Sequence, residues 1–425
     1  MKILYLVHQF FPEYCSGTEK FVLNLATMMQ RMGNKVKVIT YSFYEDSFYD
    51  EIVGNILVKE FTYKGIPIKA FKYRQSPVDT HYALENKDLS QVADNFINDE
   101  GPDLVHIGHP MRVGELIRAT NRLEIPYVIT LTDFFLMCPK VVLSTSEGQL
   151  CTGPERGSIC IDMCNEIPNS LIQQRLKSAE EILFNAKKVV APSEFLANLF
   201  KKEFPAIEFE VVNHGISFSK RKKNRKRYTK EDGLVFCYAG TLAPHKGVHI
   251  LIEAFKNIAS PKAGLEIYGS GPDKLYIKKL MDLAEKDVRI KFCGQYWEDN
   301  VGNIFTNVDV VIVPSLCYES YSLVMHEAFS CNVPVIASSI GNLGEKIIDN
   351  FNGFTFKPGD SSYLTKLLYS LIKNPERLNE LKVNLRYGIV PSVEQEAYAY
   401  ERIYRQVINY KTYDIKKGGF NGEIS

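Results

Sequence analysis

Along the chain, short apolar runs alternate with longer stretches whose apolar positions recur every three or four residues. The first pattern marks a buried strand and the second an amphipathic helix. The run Lys2 to His8 predicts a buried strand, and a loop holding Pro12 and Ser16-Gly17 follows it. From Thr18 onward Val22, Leu25, Met29 and Met32 fall on one helical face, with Gly33 placed to end the helix and Val36 to Tyr41 reading as the next strand. This is a βαβ beginning. Further strands are expected at Leu104 to Ile107, Tyr127 to Leu131 and Val189 to Ala191.

A second series is clearer. It predicts strands at Leu234 to Ala239, Leu265 to Tyr268, Val288 to Phe292, Val308 to Val313 and Pro334 to Ala337, with helices starting near Val248, Asp273 and Ser322. Strand–helix alternation of this kind predicts parallel sheets covered on both faces, so the expected fold is α/β, with two Rossmann-like doubly wound domains. Ligands of open parallel sheets bind beyond the carboxyl ends of the strands, and two such halves place the expected ligand cleft between them. No repeat with a period of roughly 20 to 50 residues is present, which argues against a solenoid or propeller.

Charge sharpens the domain division. The 425 residues carry 51 Lys+Arg and 50 Asp+Glu, a balance that excludes a broadly basic nucleic-acid-binding protein. The length also exceeds the roughly 250 to 300 residues at which single cores stop growing. Eight of the basic residues lie in KRKKNRKRYTK, Lys220 to Lys230, so the remainder of the chain is net −7. A bare charged stretch cannot bury enough surface to fold. The expected organisation is therefore an N-terminal domain over 1–215, an exposed basic linker over 216–232 and a second domain over 233–390. The segment 391–425 would form a helix and tail, the helix having Ala397, Tyr400, Ile403, Tyr404 and Ile408 on one face. The basic run could also meet anionic lipid head groups.

The longest largely apolar stretch, Ile125 to Pro139, contains Asp133 and falls short of the roughly 18 residues a membrane span needs. The N-terminal apolar run is too short for a signal peptide. The expectation is a cytoplasmic protein, at most peripheral to the inner face of a membrane. Nine cysteines without an export signal suggest reduced thiols or a metal site. Cys138, Cys151, Cys160 and Cys164 form a loop-rich insertion over 138–164. They could hold a structural Zn²⁺ through four thiolates, although the spacing lacks paired C-x-x-C knuckles.

Candidate chemistry sits after the strands of the second domain. The loop AGTLAPHKG, Ala239 to Gly247, combines bare glycine backbone with Lys246, a point charge for a phosphate. In YGSGPD, Gly269 and Gly271 leave bare backbone at a strand end, but the G-x-G-x-x-G dinucleotide fingerprint fails because Lys274 occupies its last place. The loop PSLCYESYSLVMHEAFS places Glu319 before, and Glu327 on, a helix that Ser322 is expected to cap. The free N–H groups of Ser322, Leu323 and Val324 would face an anion, with the two glutamates accepting from hydroxyls on either side. A phosphate flanked by polyols is a nucleotide sugar.

These motifs resemble glycosyltransferase family 4, retaining enzymes of the GT-B fold that use a nucleotide-diphosphate sugar. The resemblance rests on the Glu319–Glu327 pair followed by Ala328, the Gly240 to Gly247 loop, YGSGPD and FCG at Phe292 to Gly294. VDVVIVPS, PVIASSIGNLGE and NGFTFKPGD add to it, as do SGTE at Ser16 to Glu19 and APS at Ala191 to Ser193. It implies that Glu327 holds the ribose, that Glu319 and Tyr321 face the sugar or its phosphate, and that Lys246 neutralises the departing diphosphate. By the same resemblance Gly294, Gln295 and Tyr296 meet the base, while Gly17 approaches the diphosphate from the first domain. No catalytic metal is implied, and the resemblance implies that the helix of 391–425 crosses back onto the first domain, the alternative being local packing.

Three departures stand out. Thr241, after Gly240, replaces the family's second cation; HIGHP offers His106 and His109, with His109 favoured as the sugar-side residue; and Thr132 replaces a histidine before Asp133. The expected function is retaining transfer of a sugar from a nucleotide-diphosphate donor to a glycan or lipid-linked acceptor, in cell-surface polysaccharide biosynthesis. A non-catalytic nucleotide-sugar-binding partner subunit is the alternative. A dehydrogenase is disfavoured by the failed fingerprint, and a glycosidase would leave Lys246 idle.

Overall fold

A computed structural model describes residues 1–75, 84–217, 223–296, 298–388 and 390–418. It divides into two compact units, one of residues 1–214 with 393–425 and the other of residues 215–392.

Unit 1 is built on a nine-stranded sheet: β1 (Lys2–Val7), β2 (Lys35–Tyr41), β3 (Glu51–Val53), β4 (Ile56–Tyr63), β5 (Ile66–Tyr73), β6 (Leu104–Ile107), β7 (Tyr127–Thr130), β8 (Lys188–Ala191) and β9 (Phe209–Val211). Their order is β3-β4-β5-β2-β1-β6-β7-β8-β9. From β5 to β9 the neighbours pair in parallel, while β3–β4 and β4–β5 are antiparallel. In β1, at the centre, Tyr5, Leu6 and Val7 are wholly buried. Each such side chain contributes about 1.5–3 kcal/mol through the apolar surface it removes from water.

The helix after β1, Gly17–Arg31, buries Val22, Leu25 and Met29 as their spacing requires, and Gly33 follows it at φ 84°. The antiparallel extension β3–β5 is absent from the strand expectations. Its signals are local: Val53 opposes Ile56 across Gly54-Asn55, and Tyr63 opposes Ile66 across Lys64-Gly65, two-residue loops that suit tight hairpins. Lys64 and Gly65 both have positive φ, as a type I′ turn demands.

The C-terminal helix Val393–Gly418 belongs to unit 1, where Ala397, Tyr400, Ile403 and Tyr404 are buried against Phe21, Val22 and Leu25. A polar network inside this contact fixes its register. His106 Nδ1 meets the Tyr404 hydroxyl, His106 Nε2 meets Thr130 Oγ1 at 2.8 Å, and the Tyr400 hydroxyl meets the same Oγ1 at 2.8 Å. His106 is therefore a core residue, and burial pulls its pKa down to about 3.

The unfolded chain binds a proton near pH 6.5 that folded His106 refuses until about pH 3, so its neutral form stabilises unit 1 above that window. That contribution falls as pH falls. In chemical denaturation the cost of His106→Gln is expected to shrink by about 2 kcal/mol between pH 7 and pH 4.5. An unchanged cost would show that His106 takes up a proton in the folded state.

Unit 2 carries a six-stranded, fully parallel sheet: β10 (Leu234–Ala239), β11 (Ala263–Tyr268), β12 (Ile290–Gly294), β13 (Val310–Val313), β14 (Val335–Ser338) and β15 (Gly353–Phe356). The order β12-β11-β10-β13-β14-β15 is the doubly wound arrangement in which the first strand lies beside the second on one side and the fourth on the other.

The basic run requires a correction. Lys220, Arg221 and Lys222 lie outside the described residues, but from Lys223 the chain is docked on unit 2 instead of forming a solvated linker. Asn224 and Tyr228 are each 4% exposed. Asn224 donates to Val308 O at 2.8 Å, and its Oδ1 accepts from Lys382 Nζ at 2.8 Å. The Tyr228 hydroxyl donates to Asp309 Oδ1 at 2.8 Å. Two of the three uncharged residues within the run, Asn224 and Tyr228, are the ones that bury, which a count of charges overlooks. Lys382, buried beneath the segment, has its pKa pulled down to about 8 by burial.

Candidate active site

In unit 2 the sheet reverses direction of winding between β10 and β13, so the loops after these two strands open side by side at their carboxyl ends. The loop after β10 runs to a short 3-10 turn, Pro244–Lys246, and the loop after β13 begins at Pro314. Lys246 Nζ and Glu319 Oε1 meet there at 2.8 Å, and Ser315 Oγ donates to the same oxygen at 2.6 Å. Burial opposes both charges, but each charge outweighs it for the other. The Lys246 pKa ends above its ordinary value and that of Glu319 below its own. The pair is ionised at neutral pH. Burial, then the Lys246 charge, pulls His245 down, leaving Lys246 as the cation of this loop.

Two glycines make the meeting possible. Gly247, at φ 69°, lies so close to the β13 end that a Cβ would stand 1.9 Å from Pro314 O. Gly269 faces Gly240, and a Cβ there would stand 1.8 Å from Gly240 O. Sequence reasoning left the backbone of Gly269 and Gly271 bare for a ligand, whereas the chain itself occupies that space. Gly240 N–H donates to Tyr268 O at 3.0 Å and Leu242 N–H to Ser270 O at 2.9 Å, locking one strand-end loop onto the next.

The helix Leu323–Ser330 follows the Glu319 loop. Ser322 stands at its N-cap with φ 60° and ψ 79°, and its side chain makes no cap hydrogen bond, so the expected side-chain cap is replaced by a left-handed backbone turn. This turn leaves the first N–H groups of the helix, those of Leu323 and Val324, outside the intrahelical ladder. Tyr321, 2% exposed, stacks on His326 at 4.0 Å, and its carbonyl accepts from Asn342 Nδ2 at 2.7 Å. Glu327 is 5% exposed on the inner face of the helix. Gly294, Gln295 and Tyr296 close β12, the first two exposed and Tyr296 half-buried with its ring edge-on to Tyr268. Thr241 is exposed, and its carbonyl accepts from the Tyr238 hydroxyl.

Unit 1 repeats the logic. Its winding reverses between β1 and β6, and the side chains just past those strands, His8 and His109, stack at 3.9 Å. His109 Nδ1 accepts from the Met111 N–H at 3.2 Å, which places the ring proton on Nε2, and Nε2 meets Asp133 Oδ2 at 2.8 Å. Both nitrogens of His109 are thus engaged, and the partly exposed group is Asp133. Burial, then His109 and Arg112, lowers the His8 pKa well below its ordinary value. Gly17 is exposed at the first position of its helix, and Glu19, wholly buried, accepts from the Ser16 N–H at 2.7 Å. His8 and Asp133 were missed as a pair with His109, although a histidine directly after a first buried strand is a readable signal.

The structural zinc is not supported. No group of three or more His, Cys, Asp or Glu residues that could hold a metal is found among the described residues. Cys138, Cys151, Cys160 and Cys164 are free and buried, and Cys160 and Cys164 pack with Ile167 and Ile172. Burial, reinforced by the neighbouring thiols, pushes Cys160 up to about 12. A protonated, buried thiol behaves as a small hydrophobe.

A pair of parallel-sheet α/β units, the second with an ion pair and a helix N-terminus at its switch point, defines a GT-B glycosyltransferase, and comparison with known proteins agrees. The Glycosyltransferase Family 4 model matches residues 15–220 and the Glycosyl transferases group 1 model matches residues 219–386. The chain belongs with these glycosyltransferases.

It is 24% identical to an uncharacterised glycosyltransferase of Methanocaldococcus jannaschii, over 90% of this chain and 92% of the relative. It is also 24% identical to the alpha-monoglucosyldiacylglycerol synthase of Acholeplasma laidlawii, over 95% and 96%. Identity to the lipopolysaccharide 1,2-N-acetylglucosaminetransferase of Salmonella typhimurium is 28%, over 44% of this chain and about half (54%) of that enzyme. The fold is that of Anabaena HepE, solved in complex with UDP and glucose, at a TM-score of 0.69 and 19% identity, covering 95% of this chain and 99% of that one.

Proposed function

We propose that the protein transfers a sugar, with retention of anomeric configuration, from a nucleotide-diphosphate sugar to a glycan or lipid-linked acceptor in cell-surface polysaccharide assembly. The observation that carries the reading is the Lys246–Glu319 pair at the unit 2 switch point. Bond cleavage builds negative charge on the diphosphate and positive charge on the sugar. Lys246 and the N–H groups of Leu323 and Val324 serve the first, and Glu319 serves the second. Donors fixed before the reaction need no reorganisation as the charge develops.

Ser322 and Tyr321 shape the turn that aims these N–H groups, Glu327 takes the ribose, and Gly294, Gln295 and Tyr296 take the base. Gly240 and Thr241 line the phosphates, with Gly269 and Gly271 holding their loop in place. In unit 1 the acceptor is assigned to the strand-end cluster, where His109 acts through Asp133, and Gly17 keeps its phosphate-side role. The names of the lipopolysaccharide and diacylglycerol-glycosylating relatives support an acceptor of envelope type.

The test is a panel of UDP-, GDP- and ADP-sugars. Only the true donor should raise the melting temperature strongly, by about 2.7 kcal/mol of stabilisation at a hundred times its dissociation constant. The same donor should release nucleotide when acceptor is added. Tight donor binding without turnover would favour the non-catalytic subunit.

A further inference from the structure

The docked part of the basic run has a second property. With Asn224 and Tyr228 turned into unit 2, Lys223, Arg225, Arg227 and Lys230 are exposed. None of these four forms an ion pair among the described residues, whereas Lys226 is held by Asp309 at 3.0 Å. The segment lies against the helix Arg377–Leu385: Tyr228 N–H donates to Asn379 Oδ1 at 2.9 Å, and Lys382 Nζ donates to Lys226 O at 2.6 Å. On that helix Val383 follows Asn379 by four residues, and Tyr387 follows Val383 by four, the turn continuing through Tyr387 N–H to Asn384 O. Val383 is 47% and Tyr387 79% exposed, and the exposed Arg386 stands between them in sequence.

We propose that this face of unit 2, with Lys223, Arg225, Arg227, Lys230 and Arg386 around exposed Val383 and Tyr387, docks on an anionic lipid bilayer. Exposed cations on a segment packed against a helix that bears an exposed tyrosine and an aliphatic side chain match the interface of such a bilayer, where phosphates meet the first acyl carbons. The chain outside Lys220 to Lys230 is net −7, so a negative surface attracts this run and repels the remainder on balance. Anchoring by Asn224 and Tyr228 keeps the cations extended on the outer side, which lowers the ordering cost of binding. The proposal gives the lipid-linked acceptor reading a means of delivery, but its test does not depend on turnover.

Sedimentation of the full chain with phosphatidylcholine vesicles, with and without about 30 mol% phosphatidylglycerol, tests it. Wild type is expected to bind the anionic vesicles preferentially, and more weakly as salt is raised. Each basic residue near such a surface is worth about fivefold in partition. The combined variant Lys223→Gln, Arg225→Gln, Arg227→Gln, Lys230→Gln should therefore lose more than about tenfold, even with Lys220 to Lys222 retained. Val383→Ser with Tyr387→Ser should remove the salt-resistant part. Equal binding to neutral and anionic vesicles, or unchanged partition of the charge variant, would overturn the proposal. Donor-induced thermal shift, measured on the same samples, reports separately on folding and on the glycosyltransferase reading.

Discussion

Lys246→Met is expected to lower kcat/KM for sugar transfer by about 10²–10³-fold, the usual cost of deleting one preorganised charge from a developing anion. The reason is specific to this chain. Thr241 is uncharged, and burial together with Lys246 lowers the His245 pKa, so one ammonium carries the charge of this loop. Glu319→Gln should cost a comparable factor by a different route, because it strips Lys246 of the charge of its 2.8 Å partner. The two losses should not add. Residues in direct contact share their effect, and the double variant is expected to be little worse than the poorer single one. Full additivity in nucleotide-release kinetics would mean that the pair does not act as a unit.

The pH dependence has a defined sign. Glu319 has a lowered pKa, so its share of stability is lost only as pH falls below the ordinary carboxylate value and through its own. Lys246 has a raised pKa, so its share is lost only as pH rises past the ordinary lysine value. Between these limits the pair contributes a constant amount, and any titration of the rate near neutrality must come from other groups.

Gly247→Ala should be strongly damaging to unit 2. Its Cβ would lie 1.9 Å from Pro314 O, a backbone atom that cannot swing aside, at a φ of 69° that alanine disfavours by about 1–2 kcal/mol on its own. The clash pushes apart the two loops that bring Lys246 to Glu319. A loss of about 2–4 kcal/mol in denaturant titration and of at least about tenfold in turnover is therefore expected. Gly33→Ala supplies the control. Gly33 has φ 84°, but nothing lies within 4 Å of its added Cβ, so only the backbone cost should appear. Equal effects at both positions would refute the close approach as the cause.

Much of this was legible in order along the chain. Strand β6 was placed at its exact bounds, and the helix after β1 was read from Val22, Leu25 and Met29 because a 3.6-residue period needs only local information. The hairpins of β3 to β5 were missed although the second half of β4, Lys59 to Tyr63, alternates in the way a half-buried strand does and the turns at Gly54-Asn55 and Lys64-Gly65 were readable. The basic run was misjudged because net charge averages over side chains that point in opposite directions, and Asn224 and Tyr228 settle where the backbone goes.

The sequence by itself determined that Lys246, Glu319, His109 and their loops stand at strand ends, since that follows from apolar runs and the residues that stop them. Only the tertiary structure decided which strand ends are neighbours. β10 pairs with both β11 and β13, and that order brings Lys246 to Glu319 across 73 positions of chain. In the same way β1 lies beside β6, so that His8 stacks on His109, and the His109–Asp133 contact makes Asp133 the partly exposed group. Strand order is set by how buried faces pack over long loops, a non-local free energy that no window of residues contains.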